Sequence, residues 1–326
     1  MLVLNRESVA ASLSHRDCID VLDATMQAVS AGQTIMPLRQ YLQIPASAAK
    51  FTLMPGYTAA PRCFGVKIVS KVPRAPDSPY GSHVGAVMVF SPEEGIPLAL
   101  LDGSELTAIR TAAASALATR VLAREDSRRL AILGCGQQAK HHIAALLEVR
   151  PIDSLVVWGR DRSRVDEFLG RLALSDGVAV DVADSVAAAV ADADIVTTVT
   201  SSRTPFLRGE WLPPGVHVNL VGAAIRDAAE ADVETVRRAR FFVDYRESAM
   251  AQAGELLDAI EQDIVSEAHV AGEIGEVLAG KIPGRRDDAE ITVYKSLGVA
   301  AQDLAAGWSA WERARERNLG IEVDWY

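Results

Sequence analysis

A glycine turn at residues 134–136 constrains the fold of this chain more than any other feature. It lies in the segment LAILGCGQQAKHHIAAL (130–146), where an apolar run stops and helical spacing begins straight afterwards. The turn fits the pattern G-x-G-x-x-G/A, in which the glycines permit a tight turn and let the backbone approach a pyrophosphate. An ordinary tight turn between a strand and a helix has the same spacing. The pattern makes Gly134, Gly136, Gln137, Gln138 and Ala139 candidate dinucleotide-binding residues.

The segments around this turn strengthen the interpretation. Between about residues 125 and 295, short runs rich in β-forming residues alternate with helical stretches. The runs are RRLAIL (128–133), SLVVWG (154–159), DIVTTVT (194–200), HVNLVGA (217–223) and ARFFVD (239–244). Continuous apolar strands separated by helices are typical of a parallel sheet that is covered on both faces. We therefore predict a doubly wound α/β domain of the Rossmann type.

The first 115 residues have a different texture. The capping-box spacing at Ser14 predicts a helix up to Gly32, with Ile19, Leu22 and Met26 at helical intervals. Short β-like pieces broken by proline and glycine follow: FTLMPGY (51–57), GVKIVSKV (65–72), VGAVMVF (84–90) and IPLALLDG (96–103). These pieces predict an α+β domain with an antiparallel or mixed sheet. An alanine-rich helix is predicted at 107–122, and one long amphipathic helix at 296–318.

Composition and charge exclude several classes of protein. The net charge is −10 and the basic residues are scattered, which argues against a nucleic-acid surface. Cys18, Cys63 and Cys135 lack C-x-x-C spacing, and the adjacent His141 and His142 point to different helix faces, so no metal site is indicated. No apolar run approaches the roughly 18 residues of a membrane span. We expect a soluble, cytoplasmic protein.

The end of the second strand of the α/β region bears on the choice of nucleotide. NAD-binding domains of this type carry an acidic residue there, which grips the ribose 2′-hydroxyl. Here Gly159 and Arg160 occupy the tip, and an arginine suits a 2′-phosphate. NADP(H) is therefore favoured, with NAD(H) through Asp161 as the alternative. Thr198 and Thr200 are further cofactor candidates, although simple strand-end hydrogen bonding explains them equally well.

Three basic residues outside the α/β region are candidates for binding an anionic substrate. They are Arg39 in MPLRQ, Lys67 in FGVKIVS and Arg110 in LTAIRTAAASALA. Burial in an apolar strand would lower the pKa of Lys67 and make it a proton donor. Arg110 lies early on an apolar helix, where a charge is costly without a carboxylate partner. Taken singly, each of the three is more often a member of a structural ion pair.

Three segments resemble the ornithine cyclodeaminase/mu-crystallin family. They are GIPLALLDGSELTAIRTAAASALA (95–118), GCGQQA (134–139) and EITVYKSLGVAAQDLA (290–305), and their order and spacing match the family over about residues 35–315. The resemblance implies a homodimer with NAD(P)-linked chemistry at the α-carbon of amino acids or their imines. It also implies a Rossmann domain over 119–299. That domain is inserted in a substrate-binding and dimerisation domain made of 1–118 and 300–326.

The resemblance also assigns roles to individual residues. Arg39, Lys67 and Arg110 match the positions that hold the substrate α-carboxylate, and Lys67 also matches a position close to the reacting nitrogen. Ser296 and Gly298 match the segment near the nicotinamide. These five residues are therefore the candidates for the site at which the substrate reacts.

Two departures from the family's cyclodeaminases change the expected reaction. In those enzymes the strand corresponding to HVNLVGA is followed by an aspartate that is important for water activation, and Ala224 stands at that position here. They also carry a glutamate that meets the amines of ornithine, and Thr52 takes its place. Neither Asp227 nor Glu230 is an obvious replacement, and we interpret Glu230 as a helix-entry acid.

What remains is two arginines that hold the substrate carboxylate, Arg39 and Arg110, together with a lysine and a bound nucleotide. This set suits reduction of an α-imino acid or a cyclic ketimine. The reverse direction would be oxidation of an amino acid. Thr52 and His83 complete the candidate substrate-binding residues, with a hydrogen-bonded structural histidine as the alternative for His83. Two other functions stay open. One is a cyclodeaminase-type lyase that uses bound NAD, and the other is a mu-crystallin-like protein that binds a nucleotide without turnover.

Overall fold

The computed structural model describes residues 1–45, 49–72, 83–174 and 177–325. The chain forms two compact units. The first unit contains Met1–Arg110 and Val299–Tyr326, and the second contains Thr111–Gly298. The division drawn from the sequence placed these boundaries at 118/119 and 299/300.

The first unit is a mixed β-sheet with helices packed on it. Its strands are β1 (Leu2–Leu4), β2 (Thr34–Ile35), β3 (Gln40–Gln43), β4 (Lys50–Ala59), β5 (Arg62–Lys71), β6 (His83–Phe90), β7 (Pro97–Asp102) and β16 (Ile321–Glu322). Its helices are α1 (Arg6–Ser12), α2 (His15–Ser30), the beginning of α3 (Gly103–Leu122) and α11 (Ala300–Glu316). The strand order is β16-β1-β7-β6-β5-β4-β2, with β3 also paired to β4. The β1–β7 pair is parallel and the other pairs are antiparallel, which confirms the predicted mixed sheet.

Helix α2 begins where its sequence predicts. The Ser14 hydroxyl oxygen accepts the N–H of Asp17 at 3.1 Å and so caps the first turn. The helix buries the predicted apolar stripe, including Ile19 and Leu22. It ends two residues before Gly32, whose φ of +70° takes the chain out of the helix.

Two glycines let the C-terminal helix α11 lie close on strands β4 and β5. A Cβ atom at Gly56 would be 2.9 Å from the Cβ of Ala300, and one at Gly65 would be 2.9 Å from Leu304 Cδ2. Because any side chain at these positions would push the helix away, glycine sets the separation between helix and sheet. This close approach brings residues 302 and 303 of α11 over the buried face of β5.

The second unit is a parallel sheet with helical connections. Its strands are β8 (Arg129–Leu133), β9 (Ser154–Trp158), β10 (Ala179–Val182), β11 (Ile195–Thr198), β12 (His217–Leu220), β13 (Arg240–Val243), β14 (Val270–Glu273) and β15 (Thr292–Lys295). Its helices besides α3 are α4 (Gln137–Leu147), α5 (Arg162–Gly170), α6 (Val186–Val190), α7 (Val233–Arg238), α8 (Arg246–Gln252), α9 (Gly254–Glu261) and α10 (Ile274–Leu278), with 3₁₀ turns at Gly209–Trp211 and Glu267–His269. The strand order is β10-β9-β8-β11-β12-β15-β13-β14, and the paired strands are parallel. The order reverses between β8 and β11, which is where doubly wound sheets bind their ligands.

Two details of the sequence interpretation were wrong. The last helix begins at Ala300, not at residue 296, because the carboxylate of Asp244 accepts the backbone N–H groups of Leu297 and Gly298 and holds this segment in a turn. Glu230 is not a helix-entry acid, since Asp232 is the N-cap of α7 and Glu230 is fully buried.

Candidate active site

A buried cluster of charged side chains forms in the first unit where β5, α3 and α11 meet. Lys67 Nζ donates to Asp303 Oδ1 at 2.9 Å, and Arg110 Nε donates to the same oxygen at 2.9 Å. Arg110 Nη1 also donates to Gln302 Oε1 at 2.9 Å. Lys67 and Arg110 are only 4% and 5% exposed, and Asp303 is fully buried. The structure therefore supplies the carboxylate partner that Arg110 requires.

The charges in this cluster do not cancel. Two cations share the single carboxylate of Asp303, and the guanidinium of Arg39 is close enough to Lys67 to lower the pKa of that ammonium. Burial is the largest cause, and together with Arg110 and Arg39 it outweighs Asp303 and lowers the pKa of Lys67 to about 8. Burial alone would raise the pKa of Asp303, but the charges of Arg110 and Lys67 hold that pKa below its usual value. An excess of positive charge in a buried place is suited to an anionic ligand.

A small pocket opens beside Lys67. It is lined by Lys67, Val69, Gly85, Gly103, Ser104 and Thr107. Thr52 lies directly opposite Val69 in the β4–β5 register, so these two residues share a face of the sheet with Lys67. The lining residues include a cation, hydroxyls and glycines but no carboxylate. His83 begins β6, and its side chain lies outside the described part of the structure.

The glycine turn of the second unit has the geometry that a pyrophosphate requires. Gly134 has φ +132°, and a Cβ atom there would be 2.9 Å from the carbonyl oxygen of Val199. Gly136 is the N-cap of α4, so no side chain caps the first turn of the helix. The space where its Cβ would be is open. Gln137 and Gln138 form the exposed and half-buried start of the helix, and Ala139 is buried. These residues fit a dinucleotide, because backbone N–H groups at an uncrowded helix N-terminus bind phosphate.

The tip of β9 has no acidic side chain. A Cβ atom at Gly159 would be 2.8 Å from Val165 Cγ2, so a side chain at this position would require Val165 on helix α5 to shift. Arg160 is exposed directly after it. Asp161 caps α5, because its carboxylate accepts the backbone N–H groups of Ser163 and Arg164 at 3.0 and 3.4 Å. Asp161, through which NAD(H) was the alternative nucleotide, is thus engaged in capping α5.

Thr198 and Thr200 are tied to Glu230. Their hydroxyls donate to its carboxylate at 2.7 Å each, and the backbone N–H groups of Thr200 and Gly222 donate to it at 2.8 and 2.6 Å. Thr198 is fully buried. This arrangement favours the structural alternative for Thr198, in which its hydroxyl holds the strand end.

The turn that contains Ser296 and Gly298 is held by hydrogen bonds to a buried carboxylate. Asp244, at the end of β13, accepts the backbone N–H groups of Leu297 and Gly298 at 2.8 and 2.7 Å. Ser296 is almost completely buried, and Gly298 has φ +76°. The carboxyl ends of β12, β13 and β15 therefore meet at a rigid edge of the sheet.

Comparison with known proteins places the chain in a family. A profile of the ornithine cyclodeaminase/mu-crystallin family matches residues 1–318. The chain belongs to this family. The match confirms the resemblance and the predicted architecture of a Rossmann domain combined with an α+β domain.

Relatives in the ornithine cyclodeaminase/mu-crystallin family cover nearly the whole chain. The ketimine reductase mu-crystallin of Mus musculus is 35% identical over 287 residues, which are 87% of this chain and 88% of the relative. The structure of Thermococcus litoralis Delta(1)-pyrroline-2-carboxylate reductase in complex with NADH and L-proline superposes with a TM-score of 0.95 at 32% identity. That match covers 99% of this chain and 100% of the other. An archaeal alanine dehydrogenase dimer with bound NAD has a TM-score of 0.92 at 30% identity, covering 100% and 99%.

Asp303 and Glu230 are the members of these sites that sequence reasoning missed. Asp303 lies inside one of the motifs that carry the family resemblance, on a helix whose other residues in that turn are small or apolar except for Gln302. A lone carboxylate among buried alanines is a signal for a buried cation elsewhere in the chain. Its partners are 193 and 236 residues away, so no spacing rule identifies them.

In the part of the chain that the structure describes, no helix combines the length and apolar character needed to cross a bilayer.

Proposed function

We propose that this protein reduces cyclic α-imino acids to the corresponding α-amino acids with NADPH. The observation that carries the proposal is the buried pair of cations Lys67 and Arg110, which share the single carboxylate of Asp303 beside a small pocket without a carboxylate. Relatives across the family are named as a ketimine reductase and a pyrroline-2-carboxylate reductase, which supports this class of reaction.

Each basic residue has a defined part in the proposed reaction. Arg110 and Arg39 bind the substrate carboxylate, because guanidinium groups pair well with carboxylates. Lys67 keeps the imine nitrogen protonated, which makes the adjacent carbon electrophilic. Its pKa of about 8 suits this role, since an acid is most effective when its pKa lies near the working pH. When bound, the reduced nicotinamide supplies the hydride.

The same residues argue against a cyclodeaminase. Such an enzyme must bind a second amine on its substrate and must activate a group for ammonia release. Thr52 has no charge to pair with an ammonium, and Ala224 has no group that transfers protons. A cyclic imine has no second amine and releases no ammonia when it is reduced, so it requires neither function. It therefore fits the residues present.

We propose NADPH over NADH because of the strand end at Gly159. The 2.8 Å distance from a Cβ there to Val165 Cγ2 disfavours a ribose-binding acid at this position, and Asp161 is engaged in capping α5. Arg160 is exposed at the same place and suits a 2′-phosphate. The archaeal alanine dehydrogenase and the Thermococcus reductase were solved with NAD and NADH. The proposed preference for NADPH therefore rests on the residues of this chain and not on these relatives.

We further propose a homodimer that is formed through the sheet of the first unit. The strand residues that point away from α11 form a half-exposed apolar row: Leu53, Tyr57, Phe64, Val66, Ile68, Met88, Phe90 and Leu100. Phe64 and Phe90 stack with ring centroids 5.3 Å apart within this row. A continuous apolar surface of this kind is typical of a permanent interface, and the archaeal relative was solved as a dimer.

The first experiment measures NADPH oxidation with five- and six-membered cyclic ketimine carboxylates. NADH is run in parallel and Lys67→Ala serves as the inactive control. We expect turnover with NADPH that falls at least 100-fold in the variant, because the variant lacks the group that protonates the imine nitrogen. Absence of turnover with every imine, or release of ammonia from ornithine without net change in the cofactor, would overturn the proposal.

A further inference from the structure

Asp303 occupies an unusual position in the charged cluster. Its Oδ1 accepts hydrogen bonds from both Lys67 Nζ and Arg110 Nε, each at 2.9 Å, so one oxygen fixes the two nitrogen atoms around a single point. Its Oδ2 is buried and has no hydrogen-bond partner among the described residues. A carboxylate that serves packing alone would be expected to use both oxygens, because an unpaired buried acceptor costs roughly 1–3 kcal/mol.

The surroundings of Lys67 make Asp303 the source of negative charge. Arg110 on α3 and Arg39 before β3 are cations that disfavour the ammonium form. Cys18 on α2 is close to Arg110 and Asp303, but burial raises the pKa of its thiol and keeps it neutral. Lys67 is paired across the sheet with Met54 on β4 and Val87 on β6, which are apolar. Of the groups that act on Lys67, Asp303 therefore opposes the loss of its proton.

We propose that Asp303 is a positioning residue for the reduction, which holds Lys67 and Arg110 at a fixed separation and keeps Lys67 in its ammonium form. This inference rests on the proposed function. In this role Asp303 contacts Lys67 and Arg110 and acts on the substrate through them.

The proton balance of the reduction shows why this charge matters. Lys67 gives its proton to the imine nitrogen, and a reduced nicotinamide, when bound, would supply the hydride that adds to the carbon of the resulting iminium. Lys67 then recovers a proton from solvent, so that imine, NADPH and one proton give amine and NADP⁺. Without a neighbouring carboxylate, a buried lysine flanked by two arginines would lose its proton at a lower pH and would be available as a proton donor over a narrower pH range.

The test compares wild-type protein with Asp303→Asn and Asp303→Glu. In the wild type we expect the rate of imine reduction to fall as the pH rises through about 8, where Lys67 loses its proton. In Asp303→Asn the fall should begin at a pH about one unit or more lower, because a partner charge at this distance shifts a pKa by about one to three units. Asp303→Glu keeps the charge and should retain the wild-type limb even where its maximal rate is reduced.

A matched control is Asp194→Asn. Asp194 also accepts hydrogen bonds from an arginine, Arg124 at 2.6 Å, but it lies at the amino ends of β8 and β11, at the opposite edge of the sheet from the glycine turn. This variant loses an ion pair and should be less stable, with an unchanged pH profile. A loss of stability alone would thus be distinguished from a change in the charge of Lys67.

A second readout does not depend on turnover. The ammonium of Lys67 is followed by NMR in protein labelled at the lysine side chains, with Lys67→Met used to assign its signal. It should titrate at a lower pH in Asp303→Asn than in the wild type and Asp303→Glu. The inference is overturned if Lys67 titrates alike in all three proteins, or if Asp303→Asn is slower with an unchanged pH limb. If the wild type reduces no imine, the proposed function fails while the titration still decides the role of Asp303 at Lys67.

Discussion

At the scale of single residues, Lys67, Arg110 and Lys295 are buried cations that each pair with a carboxylate. Lys67 and Arg110 share Asp303, and Lys295 lies 2.8 Å from Glu255, with both of these side chains fully buried. Burying an unpaired charge is so costly that a buried lysine or arginine implies a nearby acid. Lys295 and Glu255 balance each other. The cluster at Asp303 has one cation more than it has acids, and this difference separates a structural ion pair from a candidate binding site.

A prediction at this scale concerns the choice of nucleotide. Arg160→Ala should raise the KM for NADPH about tenfold, since one charge-assisted contact to a phosphate is worth about 1.4 kcal/mol, and should leave the KM for NADH nearly unchanged. Arg171→Ala is the control, because Arg171 is exposed at the far end of α5 and pairs with Glu167. Both constants are measured at a saturating concentration of the imine. An equal effect on the two nucleotides would contradict a role for Arg160 at the 2′-phosphate.

At the scale of secondary-structure elements, two buried acids tie the strand ends of the second unit together. Glu230 binds the ends of β11 and β12, and Asp244 holds the turn after β15. Parallel strands leave their last backbone N–H groups without partners in the sheet, and each acid satisfies two of them. Burial raises the pKa of Glu230, while the hydroxyls of Thr200 and Thr198 oppose that rise. These acids shape the edge where nucleotides bind in such sheets.

We predict that Glu230→Gln lowers the free energy of unfolding by roughly 3 kcal/mol, because an amide nitrogen would face backbone donors and lose charge-assisted hydrogen bonds. Urea denaturation measures this change, and the binding of NADPH should weaken in the same variant. Glu210→Gln is the control, since Glu210 is exposed and pairs only at the surface with Arg208. If both variants were equally stable, the four hydrogen bonds to Glu230 would not hold the strand ends.

At the scale of the whole molecule, the first unit has two unlike sheet faces. Helix α11 covers one of them, on which Val87, Val89 and Leu101 are fully buried. The opposite row, from Leu53 to Leu100, is apolar but only half-buried in one chain. An alternating strand that is apolar on both faces is unusual in an antiparallel sheet with one face in water. This composition supports the proposed homodimer.

The corresponding prediction is that the wild type sediments as a dimer at micromolar concentration and that Ile68→Asp is monomeric. A carboxylate in the centre of an apolar interface should raise the dissociation constant at least 100-fold, since it would be buried without a partner. Val180→Asp is the control, because Val180 is an exposed apolar residue on the edge strand β10 of the other unit. Circular dichroism establishes that both variants fold. A wild-type monomer, or an Ile68→Asp dimer as tight as the wild type, would refute the proposed interface.

The secondary-structure elements and the fold class follow from local sequence patterns. The glycine turn, the apolar strand runs, the Ser14 cap and the alternation of strands with helices depend on residues a few positions apart, and the structure has each of them close to where it was predicted. The family resemblance likewise rested on contiguous motifs. The start of the last helix was wrong because its cause, Asp244, lies more than fifty residues away.

The pairing of the buried charges, in contrast, depends on how the elements pack. Arg110 needed a carboxylate on physical grounds, yet the choice of Asp303 required α11 to lie on β5, which Gly56 and Gly65 permit. In the same way Glu230 became a buried acceptor for two strand ends instead of a helix cap. Local propensity acts through neighbours in the chain, whereas burial and ion pairing act through neighbours in space. The state of a titratable group such as Lys67 is therefore set by packing, not by the strand that carries it.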